Sequence, residues 1–402
     1  MGNLIWLISA ILVPLAWLGC LFGGLEHEMA PALVAVLSGL AVVGAAFQLS
    51  WGCELAEQDI PPAVALIVLA LIAVLPEYAV DLHFAWVAGK DPASGYMDYA
   101  VANMTGANRV LIGVGWSSLV FVLWAKNREK SLLVDDDQRL ELGFLLVATL
   151  YSFILPFKQT ISVIDSVVFF SMFVLYVVRA LKSAHSEHDL VGPAMWIDDR
   201  VDTRGRWAAI VFFLVYACAA IWLSAHHFAD SLVVIGKGVD IDEFILIQLV
   251  APLASEAPEF IVAILFVIRH RPSTALAALV SSKVNQWTLL IGALPIAYTV
   301  ARWSTGELSA PTPAAMHLSH RQVAELLLTS AQSLFAVAVL ADLRFSLREA
   351  IALATLFVAQ WFFPGNLSRY LFAGTYLVLV LIIGFGTRAK QRKFLRLLKA
   401  GR

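Results

Sequence analysis

Charged side chains are scarce in this sequence, and that scarcity excludes an ordinary soluble protein. Only 14% of the 402 residues are Asp, Glu, Lys or Arg, whereas 60% are hydrophobic. Soluble domains usually carry about 25% charged residues. The apolar residues come in runs of about twenty, the length that crosses a bilayer core of about 30 Å. The sequence therefore predicts an all-α bundle of many transmembrane helices.

Cysteines are also few, and the three present do not have the spacing of a metal site. Cys20, Cys53 and Cys218 lie in or beside apolar runs, so we predict that they are small packing residues. A histidine array within the apolar runs, a nucleophile elbow and a glycine-rich phosphate loop are lacking too. These absences argue against an enzyme, and we expect no cofactor.

Twelve apolar segments are predicted as membrane spans. They cover residues 4–24, 29–51, 61–88, 98–125, 142–158, 160–181, 207–229, 241–268, 273–300, 322–341, 347–363 and 367–386. Four of them are short or closely spaced, which leaves a count of ten or eleven open. With twelve spans and the basic C-terminal tail in the cytoplasm, most Lys and Arg residues fall on inward connections, as the positive-inside rule expects.

The predicted topology places both termini in the cytoplasm, and we expect a bacterial inner membrane. The tail after Gly386 carries seven Lys and Arg residues. Such a cluster is typical of a segment that contacts anionic lipids of the inner leaflet. We therefore predict membrane lipids as a partner and expect no nucleic acid to bind.

The chain is predicted to contain two inverted repeats. A polar cytoplasmic linker at 182–206, expected to be solvated, separates the halves 29–181 and 207–363. Residues 1–28 add an N-terminal helix, and 364–402 add a C-terminal helix with the basic tail. Equivalent elements lie five spans apart, so the halves have opposite orientations in the membrane. This arrangement is typical of secondary transporters.

A Pro-Glu pair interrupts an apolar run once in each half. Pro76-Glu77 lies in the third predicted span and Pro258-Glu259 in the eighth. Proline lacks the helical N–H donor and leaves a carbonyl oxygen available near the carboxylate. Carbonyl and carboxylate oxygens are the ligands that hard cations prefer. We therefore predict Pro76 and Pro258 as helix breakers beside two ion-binding glutamates.

Other polar residues share a helical face with these glutamates. Asp81 follows Glu77 by four residues, whereas Glu256 and Ser255 precede Glu259 by three and four. Direct ligation of a transported ion is one role for the two added carboxylates. An ion pair with a buried cation is the other, because charges inside a membrane often pair.

Two cations, Arg109 and Lys283, lie inside the fourth and ninth predicted spans. A charge in hydrocarbon costs about 3 kcal/mol or more, and it persists where it lines a cavity or has a partner. If both cations share one cavity with the four carboxylates, two negative charges remain. One divalent cation, or two monovalent cations or protons, would neutralise them. We predict that Arg109 and Lys283 compensate charge or gate the pathway.

These segments resemble the cation/calcium exchanger superfamily, which includes the sodium/calcium exchangers. Each of its two inverted repeats has a Gly-Thr-Ser-x-Pro-Glu-like segment, then a Gly-Ser-Asn-x-x-Asn/Asp segment on the next helix. Here the latter segments begin Gly106-Ala107-Asn108 and Ser281-Ser282-Lys283, with Leu111 and Gln286 at the later polar position. A tethered ammonium or guanidinium can fill a cation subsite permanently.

The resemblance implies ten core spans and a pair of central metal ligands, Glu77 and Glu259. The supporting ion-binding residues would be Asp81, Glu256, Ser255, Asn108 and Gln286. The implied function is a secondary active antiporter that exchanges Ca²⁺ or a monovalent cation for Na⁺ or H⁺ by alternating access. These ions would be transported species and not cofactors.

Two other functions stay open from the residues. An anion or organic-acid carrier could bind its substrate through Arg109 and Lys283. A non-transporting sensor or structural membrane protein could instead have its site closed by ion pairs between those cations and the carboxylates. Flux that responds only to anion replacement would favour the first. Failure of every ion to change thermal stability would favour the second.

Overall fold

The computed structural model describes residues 2–56, 58–60, 74–181, 190–238, 243–306, 313–385 and 397. These residues are mostly helical, which confirms the predicted all-α membrane fold. They form two compact units. Unit 1 holds 1–84 and 181–265, and unit 2 holds 85–180 and 266–402. Each unit therefore draws on both predicted repeats, whose boundaries remain a prediction.

The helices have the following bounds in chain order. They are α1 (Gly2–Phe22), α2 (Pro31–Ala56), α3 (Leu75–Lys90), α4 (Tyr96–Val110), α5 (Ser117–Asn127), α6 (Arg139–Ser152), α7 (Ile154–Lys158), α8 (Val163–Ala180), α9 (Gly192–Asp198), α10 (Thr203–Gly238), α11 (Glu243–Ser255), α12 (Ala257–Ile268), α13 (Pro272–Asn285), α14 (Ile291–Ser304), α15 (His320–Leu340), α16 (Leu347–Ala359) and α17 (Asn366–Phe385). A π-helical turn joins α4 to α5 at Leu111–Trp116, and another joins α13 to α14 at Gln286–Leu290.

Within the described ranges, nine helical segments are long and apolar enough to cross a membrane. The pair α11 and α12 makes a tenth candidate, bent by 52° between Ser255 and Ala257. Part of the third predicted span, 61–73, lies outside the described residues. Helix α16 has only 13 residues and does not qualify alone. The count of twelve spans therefore stays a prediction.

In unit 1, helix α2 packs closely against α1 because it presents small residues there. A methyl group on Gly44 would lie only 3.0 Å from the Ala10 carbonyl oxygen and from the Pro14 ring. Pro14 has no N–H to donate to that carbonyl, which is its partner one turn earlier. The side-chain amide of Gln48 donates to it instead, at 2.8 Å. The close approach of α2 thus also repairs the hydrogen bond that proline removes from α1.

The described part of the 182–206 segment is not a freely solvated linker, which corrects that expectation. Helix α9 lies within it, and its Ala194 and Ile197 are buried in an apolar cluster with Trp51 of α2 and Phe213 of α10. The Arg206 guanidinium binds both carboxylate oxygens of Asp59, at 2.8 and 3.0 Å, and also pairs with Asp198. Apolar burial and these ion pairs hold the segment in place within unit 1.

The described residues of unit 2 include two short antiparallel strand pairs that the sequence pattern did not predict. Strand β1 (Ser131–Leu133) pairs with β4 (Arg344–Ser346), and β2 (Thr160–Ser162) pairs with β3 (Ala315–His317). β1 and β3 follow the fourth and ninth predicted spans, and β2 and β4 follow the fifth and tenth. The connections therefore pair crosswise between the two repeats, as a pseudo-two-fold relation requires.

Candidate functional site

Each Pro-Glu pair lies in the first turn of a helix. Helix α3 begins at Leu75 and α12 at Ala257, so Glu77 and Glu259 are each the third residue of their helix. The missing N–H of proline costs little at this position, because the first N–H groups of a helix have no intrahelical acceptor. The partial positive charge of a helix N-terminus favours a carboxylate there. The two glutamates thus have the same local setting in both repeats.

Four carboxylates of unit 1 are close enough to interact electrostatically, and we call them the acidic cluster. Glu77 interacts with Glu259, Glu256 and Asp81. Three of the four are almost completely buried, because Glu77, Asp81 and Glu256 are 1%, 0% and 1% exposed. The structure therefore brings together all four carboxylates that the sequence singled out.

The central glutamates have carboxylate oxygens that the described residues leave without a donor. No other residue in the described part of the chain donates a hydrogen bond to either carboxylate oxygen of Glu77, and Oε2 of Glu259 also lacks such a donor. A buried carboxylate without donors is costly, and neighbouring negative charges disfavour full ionisation. A cation or a proton would relieve this cost at the oxygens of Glu77 and Glu259.

Among the described residues, no group of three His, Cys, Asp or Glu side chains is already arranged to hold a metal ion. Ser255, the predicted supporting hydroxyl, ends helix α11 directly before Glu256. Its Oγ donates to the carbonyl oxygens of Ala251 and Pro252 at 3.2 and 3.3 Å. These bonds fix the hydroxyl at the break between α11 and α12.

The remaining predicted site residues belong to unit 2. Lys283 is fully buried. Its Nζ donates to Oδ1 of Asn108 at 2.6 Å and to the main-chain oxygen of Asn108 at 3.1 Å. Gln286 is also fully buried and begins the second π-helical turn. Within unit 2 the structure thus brings together Lys283 and Asn108, a pair that the sequence did not predict.

Arg109 has a carboxylate partner that the sequence analysis missed. Its Nη2 lies 2.7 Å from Oε2 of Glu325 on α15, and its Nη1 donates to the Gln360 side-chain oxygen at 3.1 Å. Arg369 of α17 pairs with the other oxygen of Glu325. We call Arg109, Glu325 and Arg369 the arginine network. Glu325 and Arg369 both lie inside predicted spans. A charged residue in an apolar span was the signal that could have identified them from the sequence.

The fold and the acidic cluster define the class of this protein as a secondary cation transporter. A family model described as "Sodium/calcium exchanger protein" matches residues 30–182 and 208–364. The chain belongs to this family, which confirms the predicted resemblance, and it is a cation antiporter of the sodium/calcium exchanger type.

Solved structures agree with this assignment. The chain is similar over its whole length, and over 98% of the other chain, to the "Crystal Structure of H+/Ca2+ Exchanger CAX", with 41% identity and a TM-score of 0.91. It matches native YfkE over 94% of this chain and 100% of that chain, with 14% identity and a TM-score of 0.59. It matches the sodium-calcium exchanger NCX_Mj over 83% of this chain and 98% of that chain, with 13% identity and a TM-score of 0.55. At such low sequence identity, the matches to YfkE and NCX_Mj show a shared fold and nothing more. No curated protein matches the sequence.

Proposed function

We propose that the protein exchanges Ca²⁺ for protons across its membrane. The acidic cluster carries this proposal, because Ca²⁺ takes several oxygen ligands and favours carboxylates. Protons compete for the same carboxylate oxygens. The similar chain with 41% identity is described as an H⁺/Ca²⁺ exchanger, which supports the same pair of ions.

In this proposal Glu77 and Glu259 are the central ligands. Each is positioned by the first turn of a helix, and Asp81, Glu256 and Ser255 support them from unit 1. Ser255 ends α11, Glu256 lies in the break, and Glu259 is in the first turn of α12. Irregular backbone of this kind near ionisable residues is typical of transporter binding sites.

Asn108 and Gln286, which belong to unit 2, remain supporting ion-binding residues that the family resemblance implies. Leu111, at the position equivalent to Gln286, has no side-chain atom that can bind a cation. Arg109 contributes charge to the arginine network, where Glu325 neutralises it. Because the Glu325 carboxylate already pairs with Arg109, this arginine does not need a transported anion as its partner. This favours a cation antiporter over an anion carrier.

Exchange of one Ca²⁺ for two protons keeps the charge of the acidic cluster constant. The carboxylates then alternate between an ion-bound and a protonated form of equal net charge, and each form has two fewer negative charges than the empty cluster. Alternating access between the two sides of the membrane follows from the inverted repeats. The exchanger thus needs no cofactor, because its ions are substrates.

The location of the protein is proposed from its sequence. We place it in a bacterial inner membrane with both termini in the cytoplasm. Most of the basic tail, including residues 386–396, lies outside the described residues. Its contact with anionic lipid is therefore proposed from its charge alone.

The test is calcium transport by the purified protein in liposomes. A proton gradient should drive Ca²⁺ uptake, and Ca²⁺ movement should change the internal pH in the opposite sense. Glu77→Gln and Glu259→Gln should each abolish both signals. Glu28→Gln, at an exposed position of unit 1, is the matched control and should transport normally. Calcium flux that is independent of the proton gradient would contradict the proposal.

A further inference from the structure

The tyrosine next to Glu77 borders the acidic cluster. Tyr78 directly follows Glu77 in α3 and precedes Asp81 by three residues. Residues three apart are neighbours on one face of a helix. The phenol is also close enough to Glu77 and Asp81 to interact electrostatically with both carboxylates. Helix α3 thus places a hydroxyl beside two of the four carboxylates of the acidic cluster.

The hydroxyl of Tyr78 is buried and has no hydrogen-bond partner among the described residues. The residue as a whole is half-buried, so the fold encloses the polar end of the side chain while another part stays accessible. A buried hydroxyl without a partner destabilises a protein, and such groups are rare in native structures. The position of this oxygen therefore has a cost that packing alone does not explain.

Tyrosines elsewhere in the protein use their hydroxyls to stabilise the fold. Tyr151 donates to the Asp165 carboxylate at 2.8 Å. Tyr216 donates to the Ile11 carbonyl oxygen at 2.9 Å. Tyr78 lies beside carboxylates but makes no such bond to them. Its hydroxyl, unlike the other two, is not held by a contact within the fold.

An ion bound by Glu77 accounts for oxygens that lie near one another without a hydrogen bond. Both carboxylate oxygens of Glu77 lack a donor from another described residue, as the Tyr78 hydroxyl lacks a partner. Ca²⁺ takes about six to eight oxygen ligands, and a phenol oxygen has a lone pair to offer. The phenol also adds no charge, which suits a cluster in which three carboxylates already repel that of Glu77.

We propose that the hydroxyl of Tyr78 is an additional ligand of the Ca²⁺ that the acidic cluster binds. The inference rests on the proposed Ca²⁺/H⁺ exchange and names a further residue of that same site. A neutral ligand contributes to the affinity for Ca²⁺ and leaves the charge of the acidic cluster unchanged. Loss of the hydroxyl should therefore raise the Ca²⁺ concentration that transport requires and leave the maximal rate unchanged.

The experiment is proton-driven Ca²⁺ uptake by liposomes at a series of Ca²⁺ concentrations. Tyr78→Phe keeps the ring and removes only the hydroxyl. We expect its half-maximal Ca²⁺ concentration to rise about tenfold, which is about 1.4 kcal/mol, with the wild-type maximal rate. Tyr376→Phe is the matched control, because Tyr376 is also buried with a hydroxyl that lacks a partner among the described residues. Tyr376 lies in unit 2 beside Phe335, so this variant should have the wild-type Ca²⁺ dependence.

A second measurement, independent of transport, is thermal unfolding of the purified proteins in a chelator and at increasing Ca²⁺ concentration. In the chelator both Phe variants should unfold at the wild-type temperature or higher, since each loses a buried hydroxyl without a partner. Ca²⁺ should stabilise all three proteins, and Tyr78→Phe should need about tenfold more Ca²⁺ for the same increase.

The wild-type Ca²⁺ dependence in Tyr78→Phe, in both assays, would overturn the inference. A fall in unfolding temperature in the chelator with that dependence unchanged would also overturn it, because it would show a role in the fold alone. If Tyr78→Phe does not accumulate, Tyr78→Leu takes its place under the same criteria. Absence of wild-type calcium flux would refute the proposed exchange, and the unfolding assay would still decide whether Tyr78 binds Ca²⁺. A wild type that Ca²⁺ does not stabilise would overturn the role of Tyr78 as well.

Discussion

The two units treat buried carboxylates in opposite ways. In unit 1 the acidic cluster holds four carboxylates that act on one another, and described residues leave both oxygens of Glu77 without a donor from another residue. In unit 2 the carboxylate of Glu325 lies between Arg109 and Arg369. A carboxylate held between two arginines is committed to the fold, whereas a group of mutually repelling carboxylates can take up and release cations. Burial alone therefore does not distinguish a transport site from a structural ion pair.

The largest expected effect is on the stability that the arginine network gives to the protein. Glu325→Gln leaves two buried guanidinium groups without their shared carboxylate. Breaking a buried ion pair costs about 3–5 kcal/mol, so we expect a clear fall in the unfolding temperature of the purified protein. Glu129→Gln, at an exposed position of unit 2, should unfold like the wild type. An unchanged unfolding temperature in Glu325→Gln would show that the arginine network does not stabilise the fold.

Glu77→Gln should have the opposite pattern. We expect proton-driven Ca²⁺ uptake to fall at least about a hundredfold, or about 2.7 kcal/mol in the activation free energy. The unfolding temperature should not fall, because the change removes one of several repelling charges. The two assays are run on the same preparations as for Glu325→Gln. If Glu77→Gln were as unstable as Glu325→Gln, the contrast between the units would fail.

Arg369→Gln removes one of the two arginines that pair with Glu325 and keeps the other. Glu325 still pairs with Arg109 in this variant, so its charge is not left bare. Loss of a hydrogen bond to a charged group costs about 1.5–3 kcal/mol, so the destabilisation should be smaller than in Glu325→Gln. Thermal unfolding of both variants and of the double variant measures this order. A double variant as damaged as the sum of both singles would contradict a shared network.

The smallest expected effect comes from Asp81 of the acidic cluster. Asp81→Asn keeps the shape and one side-chain oxygen, so it removes charge and leaves a weaker ligand. We expect about tenfold less Ca²⁺ uptake at low Ca²⁺ concentration, or about 1.4 kcal/mol, with a smaller loss at saturating Ca²⁺. The concentration dependence of uptake measures it. Equal loss at all concentrations would place Asp81 outside the binding of Ca²⁺.

Much of the site could be predicted from the sequence because its signals are local. Glu77 and Glu259 each follow a proline inside an apolar run, and Asp81 shares a face with Glu77 through simple helical periodicity. The first-turn position of both glutamates was not predicted, because hydropathy does not show where a broken helix restarts. The three-residue strands were missed because they are too short for an alternating pattern to be recognised.

The sequence by itself determined the class of the protein, its apolar spans and the repeated Pro-Glu segments, since composition and local spacing carry that information. Only the tertiary structure decided which charges meet. Glu325 and Arg369 lie far from Arg109 along the chain, and Asn108 is likewise distant from Lys283. The physical reason is that ion pairing depends on distances of a few ångströms between helices, and no periodicity along one helix specifies its neighbour. The chain thus revealed which residues are costly to bury, and the packing of the helices decided which of them are neutralised within the fold.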